Sequence, residues 1–245
     1  NPKFYDLLVK IRHSASFFSM HIPDVIPLMI LPNATLFPDA LLPLHIFEPR
    51  YRRMLSDVLG SHRMFGVALR QSVAGKESPM PIVGVGMVRV CIDAKDGTSN
   101  LLLMGVARVE CLGAEKYRPY RLERVRVMES SGEDSPEIES LRDRLMDLIE
   151  KRLELGTEGL SPGTIPSALF NQKQALSDKG MADTMSEVGA DMMKLIDNAS
   201  GLADYTAATF LRNPFERQIV LSSIDVPTRL NRAAAFLAAE IDLNS

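Results

Sequence analysis

The chain has 245 residues, 46% hydrophobic and 24% charged, with mean hydropathy near zero. That composition reads as a soluble globular chain with a packed core and excludes a disordered one. A net charge of −3 excludes generic polyanion binding by the whole molecule. The charge is uneven, however: residues 1–130 hold 17 Lys and Arg against 12 Asp and Glu, and residues 131–245 hold 11 against 19. A basic half followed by an acidic half predicts two modules with different surfaces, and raises the question of their mutual attraction.

In chain order, residues 1–21 form an N-terminal extension to which no role is assigned. Val25 to Leu31 reads as a buried strand, and Pro32-Asn33-Ala34 as a turn. Leu41-Leu42-Pro43-Leu44-His45-Ile46-Phe47-Glu48-Pro49-Arg50-Tyr51 then packs a strand and a helix start into eleven residues. Leu44, Ile46 and Phe47 make an apolar run of buried-strand type. Pro49 suits the first helical position, where its missing N–H costs nothing. Tyr51, Met54, Leu55 and Val58 recur at helical spacing and give one apolar face, and Gly60 ends the helix. Glu48 is expected to cap that helix or to pair with an arginine. Met64 to Leu69 is a further strand, and residues 71–81 read as a loop.

The clearest β signal follows. Ile82 to Val90 suits a pleated strand, Asp96-Gly97 marks a hairpin turn, and Leu101 to Val109 returns as the partner. Val125 and Val127 alternate with Arg124 and Arg126 in a last strand whose phase slips near Leu122. Several short strands with one early helix imply a small, mixed, barrel-like sheet over residues 22–129. Residues 130–245 read as a helical bundle behind a polar linker. Ser135 and Pro136 open its first helix and Gly156 closes it. Residues 156–167 form a long loop. Met185 to Ile196, Leu202 to Leu211, a start at Asn213-Pro214-Phe215-Glu216 and a start at Asp225 mark four more helices. The fold class is thus α+β.

Chemistry-bearing motifs are scarce. Gly84-Val85-Gly86 lacks the third glycine of a dinucleotide fingerprint and precedes no helix; those glycines are expected to let a strand bend or be approached closely. There is no P-loop, no nucleophile elbow, and no Cys/His spacing for zinc. Lys173 and Lys179 near Ser177 are uninformative. No disulfide is expected of Cys91 and Cys111, because the hairpin does not set them opposite. Without a signal-peptide pattern or a membrane-length apolar run, the chain is expected to be cytoplasmic. Tyr117-Arg118-Pro119-Tyr120-Arg121, with Arg124 and Arg126, is the one basic, aromatic-interleaved stretch. Tyr117, Tyr120, Arg121, Arg124 and Arg126 are therefore the candidate nucleic-acid contacts. The competing reading gives those arginines to protection of a strand edge or to the acidic half.

The Leu41–Tyr51 wording, with Ile26-Pro27-Leu28 and Leu36-Phe37-Pro38 upstream, closely resembles the opening of the Lon N-terminal, substrate-binding domain family. The likeness extends from about Ile26 to Ile241 through Gly84 to Val88, Asn100 to Leu103, Gly105, Arg108, Pro119-Tyr120, Gln218 to Leu221, Asp225 and Arg229-Leu230. It implies a PUA-like pseudo-barrel followed by a helical bundle. It also implies recognition of unfolded or degron-bearing polypeptide, without catalysis and without a cofactor or metal. A stand-alone Lon-domain protein is expected, because the ATPase and Ser–Lys protease modules of full-length Lon are missing from these residues. Its partners would be unfolded polypeptide or a protease, and it would serve as an adaptor for proteolysis. Leu42, His45, Phe47 and Tyr51 are the candidate peptide contacts. The alternative is an RNA-binding PUA-like protein that uses the 117–126 strand. The thirteen methionines would suit an adaptable surface, or, for most of them, the core.

Overall fold

The structure is a computed structural model that describes residues 21–73, 76–155 and 198–243. Residues 1–20 of the N-terminal extension, the 156–167 loop, the Met185–Ile196 helix and the Lys173, Ser177 and Lys179 group fall outside the described residues. Among the described residues, no helix is long and apolar enough to cross a membrane.

The first half is seven strands and one helix: β1 (Val25–Leu31), β2 (Leu41–Ile46), α1 (Pro49–Leu59), β3 (Met64–Val73), β4 (Lys76–Pro79), β5 (Ile82–Asp93), β6 (Ser99–Lys116) and β7 (Arg121–Val127). Strands β1, β7, β6, β5 and β3 pair in that order, and β3 returns to β1 through a parallel register, Leu28 opposite Gly66. The ring is therefore closed. Ile26, Leu28, Ile30, Met64, Ala68, Val83, Val85, Val109 and Val125, drawn from all five ring strands, form the cluster inside it. Strand β2 lies outside the ring and pairs with the start of β6.

Helix α1 forms where Pro49 pre-sets the backbone. It buries Tyr51, Met54, Leu55 and Val58 against Met29, Phe65, Val67, Val88, Leu101 and Leu103. Each such side chain contributes roughly 1.5–3 kcal/mol through the water it sheds. Glu48 is the N-cap residue but makes no cap bond through its side chain; it pairs with Arg50 at 2.9 Å. Gly84 meets the expectation of close approach, and Gly105 is approached in the same way. A β-carbon on Gly84 would collide with the Leu36 backbone, and one on Gly105 with that of Phe37. The segment leading into β2 thus lies directly on the barrel.

Three expectations need correction. Residues 71–81 are not a loop: β3 runs on to Val73 and turns back as β4, with Arg70 opposite Pro79. Phe47 is not part of a buried run: β2 ends at Ile46 and Phe47 is 60% exposed. Helix α2 (Ile138–Glu154) begins two residues after Pro136, with Glu137 as its N-cap. The phase slip near Leu122 has a structural cause, since β6 carries irregularities between Cys111 and Gly113 and between Ala114 and Lys116, opposite β7.

After β7 the chain becomes helical: α2, α3 (Ala199–Phe210), α4 (Pro214–Leu221) and α5 (Val226–Asp242). Asn198, Asn213 and Asp225 each accept a hydrogen bond from the first turn of the helix they cap, as short polar side chains do there. Leu145, Ile149, Leu202, Phe210, Leu230 and Leu237 form the bundle core, and Phe37 from the barrel enters it.

Barrel and bundle are tied by a buried polar knot. Arg108 of β6 donates to both carboxylate oxygens of Asp204 on α3, at 2.6 and 2.7 Å; the two side chains are 4% and 3% exposed. Arg229 of α5 lies 3.7 Å from the same carboxylate and donates to Ser223 O, Ser200 Oγ and Ser130 Oγ. Burial, opposed by the Asp204 carboxylate, pulls the Arg229 guanidinium down to about 10, so it stays charged at neutral pH. Gln218 adds a hydrogen bond to Ile82 O at 2.8 Å. The basic and acidic halves therefore do attract each other, through this buried pair and not through the arginines of β7.

Candidate functional site

Strands β2, β6 and β5 form a small sheet with two unlike faces. Alternation sends Leu101 and Leu103 of β6 inward, opposite Leu44 and Leu42, onto the α1 side. The register builds the outer face in rows. His45 lies opposite Asn100, which lies opposite Ile92; Pro43 lies opposite Leu102, which lies opposite Val90. A shift between Val88 and Val90 brings β5 into this alignment. Pro43, His45, Asn100 and Ile92 are exposed, Leu102 and Val90 are half-buried, and none of the six is Lys, Arg, Asp or Glu. Phe47 stacks on His45 with ring centroids 5.9 Å apart, and His45 Nδ1 is 2.9 Å from Asn100 Oδ1. With Phe47 and Ile92 each 60% exposed, this is an apolar surface carrying one fixed polar pair.

The four candidate peptide contacts thus divide. His45 and Phe47 lie together on the outer face. Leu42 is half-buried against the α1-side core. Tyr51 is buried in that core, where its hydroxyl accepts from Ile30 N–H and donates to Ile30 O, both at 3.2 Å. Tyr51 fastens α1 to β1. Ile92, Leu102 and Val90 were missed in the sequence because their place beside His45 depends on the β5–β6 register, not on any local motif.

The arginine-rich stretch is occupied locally. Arg121 pairs with Glu123 at 2.7 Å and stands over the Tyr117 ring at 5.2 Å. Arg124 pairs with Glu115 at 2.8 Å, and Arg126 pairs with Glu110. Tyr120 donates to Asp57 on α1 at 2.8 Å; burial, then this bond, pushes its hydroxyl up to about 12, while the bond holds Asp57 below the usual carboxylate range. A cleft of about 610 Å³ lies beside β7, lined among others by Leu112, Val127, Glu115 and Arg124.

Nucleophile and metal chemistry find little support among the described residues. Burial pushes the Cys111 thiol up to about 12 and raises that of Cys91, so neither is a thiolate at neutral pH. No group of His, Cys, Asp and Glu among these residues could hold a metal ion.

A family model described as the ATP-dependent protease La (LON) substrate-binding domain matches residues 25–239. Lon protease of Dictyoglomus thermophilum is 24% identical over 225 residues, covering 91% of this chain and 25% of that protein. Lon protease of Parabacteroides distasonis is 29% identical over 161 residues, 62% of this chain and 19% of that protein. The chain spans a quarter or less of the length of these relatives. The crystal structure of a Lon N-terminal domain protein from Xanthomonas campestris superposes with a TM-score of 0.57 at 19% identity, over 86% of this chain and 98% of that one. The N-terminal domain of the Mycobacterium avium complex Lon protease does so with a TM-score of 0.57 at 18% identity, over 87% and 98%. These two share the fold. With the family match running from the first strand to the last helix, the chain belongs to the ATP-dependent protease La (LON) substrate-binding domain family.

Proposed function

We propose that this domain is a non-catalytic recognition module for unfolded or degron-bearing polypeptide, acting in the cytoplasm as an adaptor that delivers clients to a protease. The observation that carries the reading is the outer face of β2, β6 and β5, whose six register residues include no Lys, Arg, Asp or Glu, with Phe47 and Ile92 exposed, on a chain of the substrate-binding family. Apolar segments that a folded client hides become available when it unfolds, and burying them on such a face is favourable without ATP. His45 and Phe47 would make direct contact, Leu42 would flank them, and Tyr51 would hold α1 in place. The arginines of β7 do not favour nucleic acid, because each already faces a glutamate.

The test is fluorescence anisotropy of labelled, reduced and carboxymethylated lactalbumin, which cannot refold, titrated with the protein at low and high salt without ATP. Saturable binding that survives salt is expected. A labelled RNA oligomer run in parallel should stay silent. RNA binding that collapses with salt, together with silence from the polypeptide, would overturn the proposal.

A further inference from the structure

We infer that the outer edge of β2 takes an extended, uncharged polypeptide segment as an added strand. The inference rests on the peptide-binding reading above and specifies how that site would hold its ligand. Among the described strands β2 pairs only with β6, so its second edge faces no strand. Gly105 N–H donates to Ala40 O at 2.8 Å, which turns the backbone of Ala40 toward β6. Alternation then turns Leu42, Leu44 and Ile46 the same way, and Leu41, Pro43 and His45 outward. Pro43 agrees independently: a residue without an N–H sits in an edge strand at a position facing away from the ladder. The outward edge therefore presents the N–H of Leu41 and His45 and the carbonyls of Leu41, Pro43 and His45.

These groups define the occupant. Main-chain donors and acceptors at two-residue period are matched by another extended backbone. Exposed edges are usually guarded by Lys or another charge, yet Leu41-Leu42-Pro43-Leu44-His45-Ile46 carries no Lys, Arg, Asp or Glu. The two rails beside the edge are also uncharged: half-buried Leu42 and Leu44 on the α1 side, and Pro43 with the His45–Phe47 stack on the other. An added strand sends alternate side chains to each rail, so a charged side chain would lose water against the Leu42 and Leu44 rail, where no rail residue carries a counter-charge. The fitting ligand is a run of consecutive Leu, Val, Ile or Phe residues from an unfolded chain.

The experiment compares a fluorescein-labelled peptide of alternating Leu and Val with two versions N-methylated at alternate residues, one for each register. N-methylation removes main-chain donors and blocks one edge, and it keeps every side chain. The parent peptide should bind saturably, and one methylated version should lose at least about tenfold in affinity. If both methylated versions bind like the parent, docking is through side chains alone; the edge inference falls and the peptide-binding reading stands. If the parent fails while unfolded lactalbumin binds, the edge inference falls and the broader reading again stands. Silence from both ligands overturns both. Sedimentation of the protein alone, at the assay concentration, should show no concentration-dependent association. A dimer that the peptide does not dissociate would assign the edge to a second copy of this chain.

Discussion

The junction between barrel and bundle and the outer face of β2 both hold polar groups beside apolar ones, yet they use them in opposite ways. At the junction Arg108, Asp204, Arg229, Ser130 and Ser200 are engaged with one another, and Arg108 Nε is the one atom of that knot without a partner. On the β2 face His45 is hydrogen-bonded to Asn100 and stacked on Phe47, while Phe47 and Ile92 each leave most of their surface to water. The difference separates what holds the molecule together from what is free to hold something else. A group whose interactions are complete can lose stability but has little left to offer a ligand. A group that is incomplete costs the fold little and can gain on binding.

Changes at the two places should therefore move different quantities. The largest effect is expected for Asp204→Ala, which removes the carboxylate that Arg108 binds through both oxygens and that lies 3.7 Å from Arg229. Urea unfolding should show a loss of about 3–5 kcal/mol, while the fraction that stays folded binds polypeptide with unchanged affinity. Tyr51→Phe comes next: it strands Ile30 N–H and C=O in the core and should cost roughly 1–3 kcal/mol, again with little change in affinity. Phe47→Ser with Ile92→Ser should do the reverse. Affinity for unfolded lactalbumin is expected to fall about tenfold or more, some 1.4 kcal/mol, while the urea midpoint barely moves. Leu112→Ser in the β7 cleft should leave affinity unchanged; a drop there, with none at Phe47 and Ile92, would transfer the site to that cleft. The smallest effect belongs to Arg124→Ala with Arg126→Ala, which breaks two exposed ion pairs worth no more than about 1 kcal/mol each and should not alter polypeptide binding.

Much of the fold was legible because its signals are local. The Tyr51, Met54, Leu55 and Val58 stripe is buried as its spacing predicts, and Asp96-Gly97 makes the hairpin turn, with Asp96 Oδ1 accepting from Thr98 N–H at 3.0 Å. Asp225 caps the last helix. What stayed hidden depends on register between distant segments. Closure of the barrel comes from the parallel β1–β3 pairing, which spans an intervening helix and strand. Residues 71–81 read as a loop because Gly, Pro and Ser outweigh the weak strand pattern, although a hairpin with β3 satisfies their backbone. Likewise Arg124 and Arg126 read as part of a basic patch because their partners, Glu115 and Glu110, lie on the neighbouring strand. The candidate site was half legible. His45 and Phe47 lie within one motif, and Ile92 and Leu102 join them only through the sheet.

The central claim is that the apolar β2 face, and not the charged β7 strand, receives unfolded polypeptide. The most direct test titrates labelled, reduced and carboxymethylated lactalbumin with three proteins side by side: the wild type, Phe47→Ser with Ile92→Ser, and Arg124→Ala with Arg126→Ala, each shown folded by its urea midpoint. Loss of affinity in the first variant with wild-type affinity in the second is the predicted result. Wild-type affinity in the first variant, with loss in the second, would contradict it.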